Sequence, residues 1–150
     1  MNKVLVAEDN ILKQNNIKDI LKSHNIAFKL VETYSDCWKI LYYDHSDYNR
    51  LILDMSMPRY KDDDKIYKFA GLDILKRLYY SKINIPTIIL TGHVQFTVDK
   101  IINDIDSVIN MIEKDDRISN AKVIRYDTKS TLWEKEIISF IIGKELKWEF

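Results

Sequence analysis

Short apolar runs alternate along the chain with longer stretches whose apolar residues recur every three or four positions, and the alternation repeats five times. Lys3 to Ala7 (KVLVA) is short and valine-rich, the pattern of a strand covered on both faces. Asp9 or Asn10 can cap a helix reaching about Ser23, with Ile11, Leu12, Ile17, Ile20 and Leu21 on one stripe. Ala27 to Thr33 alternates apolar and polar and predicts a strand. Ser35 to about Asp44 predicts a helix whose core face is Trp38, Ile40 and Leu41. Leu51 to Asp54 is a third strand. Gly71 opens a helix through Tyr80 that buries Leu72, Leu75 and Leu78 or Tyr79. A fourth strand runs from Pro86 to Thr91 and a long fourth helix from Val94 to about Lys114. A fifth strand, Ala121 to Tyr126, precedes a final helix from Thr131 to about Leu146.

Strands alternating with helices imply right-handed crossovers and a parallel sheet covered on both faces. In such a sheet the functional site lies at the carboxyl ends of the strands. The residues there are Glu8, Asp9, Asp54, Thr91 and the segment from Tyr126 to Lys129. Two strands that each end in acid bring carboxylates together. Clustered carboxylates repel, and a hard divalent cation such as Mg2+ relieves that repulsion. The chemistry this favours is phosphoryl transfer onto one of them. Taken singly, each residue has a plainer reading. Glu8 and Asp9 could cap the first helix, Asp54 could be an ordinary strand-end acid, and Thr91 a common strand residue. Lys129 could be a solvated lysine, Tyr126 plain core and His93 a loop residue. The convergence on one edge outweighs any single motif.

Bulk composition narrows the classes. The 150 residues suffice for one domain with a full core. Lys plus Arg and Asp plus Glu each number 23, so there is no basic excess for direct nucleic-acid binding. The one cysteine, Cys37, leaves no disulfide framework or cysteine metal cluster and fits a reduced, cytoplasmic setting. No signal peptide or apolar stretch of membrane-spanning length is visible, so no membrane association is expected.

In order along the chain, the acidic pair Glu8–Asp9, Asp54 followed by MSMP, Gly71, Thr91 in IPTIILTGH, and Lys129 with Tyr126 three positions before it resemble the receiver domain of two-component response regulators. The resemblance covers nearly the whole chain. It implies a flavodoxin-like (βα)5 three-layer sandwich, with parallel strand order 2-1-3-4-5. It also implies a Mg2+ site made by Glu8, Asp9, Asp54 and the Ser56 backbone carbonyl. Asp54 would be the phosphoacceptor, Lys129 and Thr91 would meet the phosphoryl oxygens, and Thr91 with Tyr126 would form the conformational switch. Ser56 and His93 stand where the family tunes the lifetime of the phosphoryl group. The implied partners are a histidine kinase or histidine phosphotransfer protein and a downstream protein target. The chain would then be a signalling domain that phosphorylates and dephosphorylates itself, not a conventional enzyme. A degenerate receiver acting as a phosphorylation-independent interaction module is the alternative. A small Mg2+-dependent hydrolase on the same fold is disfavoured, because Ser56 stands where its second acid would be expected.

Three departures from the family pattern stand out. Residues 59–70 (RYKDDDKIYKFA) form an insert between Pro58 and Gly71, with Asp62, Asp63 and Asp64 at its centre. The span from Thr91 to Lys129 is also long, with an insert within about 94–120. Val98, Ile101, Ile102, Ile105, Val108, Ile109 and Ile112 follow a heptad-like spacing there. This predicts an extended fourth helix that forms a homodimer or partner surface, or else folds back on its own domain. Together the inserts leave no room for an output domain in 1–150, so a stand-alone receiver is expected; its surface of helix four, strand five and helix five would carry the signal, and Trp148 to Phe150 could add to docking. Finally, Ser130 replaces the Pro that usually follows the family lysine, and a cis bond before a non-Pro residue costs about 3 kcal/mol, so a trans bond is expected.

Overall fold

The protein is described by a computed structural model covering residues 3–92, 95–98, 101–104, 110, 114–115 and 120–143. Its central sheet consists of β1 (Lys3–Ala7), β2 (Ala27–Val31), β3 (Arg50–Leu53), β6 (Thr87–Thr91) and β9 (Ala121–Arg125). All four pairings are parallel, in the order β2-β1-β3-β6-β9. Counting only these sheet strands, this is the expected 2-1-3-4-5 order. The sheet is flanked by α1 (Ile11–Ser23), α2 (Tyr34–Asp44), α3 (Ala70–Tyr80) and α4 (Leu132–Ile142).

The strands are apolar on both faces because both are covered. Leu5, Leu51, Leu53 and Ile89 face a core shared with α2 and α3. Val4, Val6, Ile52, Ile88 and Leu90 face the opposite core, where α1 contributes Ile17 and Leu21 and α4 contributes Trp133, Ile137 and Ile141. Each fully buried aliphatic side chain contributes about 1.5–3 kcal/mol, so the two layers fix the sheet firmly. The flavodoxin-like sandwich thus holds all five strand ends at one edge.

Four expectations need correction. In α1, Ile11 and Leu12 are 69% and 61% exposed, and the buried face is Lys13, Gln14, Ile17, Ile20 and Leu21. A helix repeats its faces at three- and four-residue steps, so Ile17 and Leu21 are continued backwards by Lys13 and Gln14. The helix expected from Val94 does not form over 95–98 or 101–104. β7 (Gln95–Val98) and β8 (Ile101–Asp104) pair antiparallel instead, with Val98 opposite Ile101. Phe96, Thr97, Val98, Ile101 and Ile102 are aromatic or β-branched, residue types that favour strands. The helical seam proposed as a dimer surface therefore loses Val98, Ile101 and Ile102; Asn110 and Lys114 are helical, and Ile105, Val108, Ile109 and Ile112 lie outside the described residues. The final helix ends at Ile142, where Gly143 adopts φ 88°, a left-handed cap open to glycine. Trp148 to Phe150 also lie outside the described residues.

The 59–70 insert is tied to the domain by ring contacts. β4 (Met57–Pro58) and β5 (Ile66–Tyr67) form a short antiparallel pair around it. Arg59 lies 4.0 Å from the Tyr67 ring centroid, and Tyr67 packs edge-on against Tyr34 of α2 at 5.4 Å. Those contacts anchor the insert to α2.

Candidate phosphoacceptor and metal site

The backbone carries the sheet's order past the strand ends. Glu8 N–H donates to the Val31 carbonyl at 3.0 Å, Asp54 N–H to Ala7 at 2.9 Å and Tyr126 N–H to Thr91 at 3.0 Å. Glu8 and Asp54 are thereby held side by side at the ends of β1 and β3. They are also buried, 1% and 6% exposed respectively, while Asp9 is half-buried. One oxygen from each of Glu8, Asp9 and Asp54 falls within 4.8 Å of the others. Asp54 Oδ1 is buried without a hydrogen-bond partner.

Gly71 makes this packing possible. Its N–H donates to the Met55 carbonyl at 3.0 Å. A Cβ at this position would lie 2.6 Å from the Asp54 carbonyl oxygen and 3.2 Å from Met55 Cα. Only a residue without a side chain lets α3 approach the phosphoacceptor strand so closely.

The charges are strained by burial. Burial pushes the Glu8 carboxyl up to about 8; the Lys13 ammonium pulls it down, and the Asp54 charge adds to the rise. Asp9 is also raised, by burial first and by Asp54 second. A buried acid cluster of this kind favours a cation.

The cation present is Lys13, which the sequence reading missed. Its Nζ lies 2.8 Å from Glu8 Oε1 and 3.3 Å from Asp54 Oδ1, and it donates to the Leu90 carbonyl at 2.6 Å. Asn10 positions the first turn of α1 by accepting from the Lys13 N–H at 3.0 Å, and it donates its own N–H to Glu8 Oε2 at 3.1 Å. Gln14 Nε2 donates to the Glu8 carbonyl at 2.7 Å. The signal was available: Lys13 and Gln14 lie on the stripe of Ile17, Ile20 and Leu21.

The other expected site residues are distributed more widely. Thr91 is fully buried at the end of β6. Tyr126 is half-buried just past β9; its hydroxyl accepts from Asn16 Nδ2 at 2.6 Å, and its ring packs edge-on against Trp133 at 4.9 Å. Lys13 Nζ sits 5.4 Å from the Tyr126 ring centroid, linking the acid cluster to that aromatic pair. Ser56 is half-buried beyond β3. Lys129 is exposed, with its N–H donating to Asp127 Oδ1 at 2.9 Å, and its bond to Ser130 is trans, as expected. His93 lies outside the described residues. A cleft of about 860 Å³ opens on Asp9; Thr33, Asp36, Pro58, Lys61 and Asp62 share its walls, so the insert borders the site.

A family model for the response regulator receiver domain matches residues 4–118. The chain belongs to this family. The match covers the acid cluster and Gly71 and stops before β9, so Tyr126 and Lys129 lie beyond it. Among curated proteins, the receiver is 28% identical over 147 residues to the Detocs response regulatory protein DtcB of Enterobacter cloacae (strain JD6301), covering 93% of this chain and 97% of that one. Its fold is similar to a response regulator receiver domain protein from Clostridium thermocellum, with TM-score 0.66, 22% identity and coverage of 98% and 99%. It is also similar to the Francisella response regulator 1452 receiver domain, with TM-score 0.66, 22% identity and coverage of 95% and 94%. Membership places the chain in two-component signalling, with kinases or phosphotransfer proteins and downstream targets as its classes of partner. Among the described residues, no helix is long and apolar enough to cross a membrane.

Proposed function

We propose that the receiver is a Mg2+-dependent phosphoacceptor switch charged at Asp54 by a histidine kinase or a phosphotransfer protein. The observation that carries this reading is the cluster of three carboxylates within 4.8 Å, with a buried Asp54 oxygen lacking a hydrogen bond. All-oxygen donors suit Mg2+, which uses few carboxylates and keeps several waters. Glu8, Asp9, Asp54 and the Ser56 carbonyl would hold it, and it would supply positive charge at the transferring phosphoryl group.

In the transfer, an Asp54 oxygen forms the new O–P bond as the P–N bond of the donor phosphohistidine breaks. The imidazole keeps the bonding pair and takes up a proton. Burial of Asp54 limits the access of water to the product. The Thr91 hydroxyl donates to a phosphoryl oxygen, and its movement is passed to Tyr126, whose contacts with Asn16 and Trp133 reach α1 and α4. The face formed by β9 and α4 then offers a changed surface to a downstream protein. The receiver turns over no separate substrate.

Two observations favour a second reading, a phosphorylation-independent docking module: Lys129 stands in solvent, and a lysine of α1 pairs with Glu8 and Asp54. Intact mass after incubation with acetyl phosphate separates the two. A Mg2+-dependent gain of one phosphoryl group in wild type, lost in Asp54→Asn, is expected. Absence of any gain, from acetyl phosphate and from a phosphorylated histidine donor alike, would leave the docking module.

A further inference from the structure

Lys13 is the one buried cation contacting the phosphoacceptor site among the described residues, and neither the family resemblance nor the proposed mechanism gives it a role. Its ammonium touches two of the three clustered carboxylates, Glu8 at 2.8 Å and Asp54 at 3.3 Å. It is held there from behind by the Leu90 carbonyl at 2.6 Å, a third partner that belongs to β6 and not to the acid cluster. The Asp54 oxygen it approaches still has no hydrogen bond, so the ammonium neutralises that oxygen's charge without satisfying it. A divalent ion would do both.

We infer that Lys13 is a tethered counter-cation occupying the divalent-metal position, so that Mg2+ binds by displacing its ammonium from Glu8 and Asp54. This rests on the metal-dependent reading of the acid cluster. The two cations cannot share the site: each needs the same oxygens, and two positive charges a few ångströms apart in a buried site repel strongly. The Leu90 carbonyl and the Tyr126 ring, 5.4 Å from Nζ, give the displaced ammonium a place to remain. Lys13 thus holds the buried carboxylates together when metal is scarce and weakens the site for Mg2+. Metal entry moves a charge toward Tyr126.

The test is isothermal titration of Mg2+ into the unphosphorylated, chelator-stripped full chain. Lys13→Met and Lys13→Gln should bind Mg2+ about tenfold or more tightly than wild type, since a competing unit charge is gone. Lys13→Arg should stay as weak as wild type or weaker, because it keeps the competing charge. Mg2+ should also raise the melting temperature of Lys13→Gln more than that of wild type. Neutral variants that bind Mg2+ no more tightly than wild type would overturn the inference. Phosphoryl gain measured separately by mass keeps the two readings apart. A wild type that accepts phosphate, with unchanged affinity in the neutral variants, defeats only the role of Lys13. Tighter binding in those variants, with no phosphoryl gain in any protein, defeats only the phosphoacceptor reading.

Discussion

At the β1–β3 end of the sheet edge, Glu8 and Asp54 are buried, ion-paired to Lys13 and locked by backbone hydrogen bonds; past β9, Lys129 stands exposed on a loop that bonds mainly to itself. Both regions lie at the carboxyl ends of parallel strands, and both were expected to meet at one phosphoryl group. They differ in what holds them. The acids project from central strands with packed layers on either side, whereas Lys129 follows β9, the edge strand of the sheet among the described residues. The nearest helix supplies the cation from its own core face.

The largest way to break this contrast is to disturb the acid end. Gly71→Ala should destabilise the protein by about 2 kcal/mol or more, because its Cβ would press on the Asp54 carbonyl and the strand would have to shift. It should also reduce phosphoryl acceptance more than its stability loss explains. A melting temperature equal to wild type would show that the close approach is dispensable.

Acidity gives the next effect. The Glu8 carboxyl is raised in the folded protein, from 4.5 to about 8. The folded state therefore holds its proton more tightly than the unfolded chain does. The associated stability is complete below about pH 4.5 and is lost as pH climbs through about 8. In chelator, the melting temperature of wild type should fall across that window relative to Glu8→Gln. Parallel curves for the two proteins would contradict the shift.

Smaller effects sharpen the other end. Tyr126→Phe removes the bond from Asn16 and should cost about 1 kcal/mol. Lys129→Met should change stability by no more than about 0.5 kcal/mol, as a surface substitution does. A clearly larger loss on thermal melting would mean that Lys129 is engaged with the folded domain after all.

The same contrast decides what could be read in advance. Glu8, Asp9 and Asp54 were legible because an apolar run that breaks into acid marks a strand leaving the core, and Gly71 because it follows them at a helix start. Lys13 was not, since Ile11 and Leu12 looked like the natural start of the α1 stripe. Hydrophobicity alone outweighed the strict repeat from Ile17, Ile20 and Leu21, which would have placed Lys13 and Gln14 inward. The paired strands at 95–98 and 101–104 were missed for a related reason: Val98, Ile101 and Ile102 fit a helical repeat, but they are also β-branched, and the backbone followed that preference. Lys129 was found by its position after a strand. Its exposure depends on loop geometry that spacing does not carry.

The most direct measurement is the location of the phosphoryl group. After charging with acetyl phosphate and Mg2+, borohydride reduction converts an acyl phosphate to an alcohol, and tandem mass spectrometry places the change. We expect a single reduced side chain, at Asp54. Reduction at Glu8, Asp9 or the Asp62–Asp64 run instead would contradict the assignment of Asp54 as the phosphoacceptor.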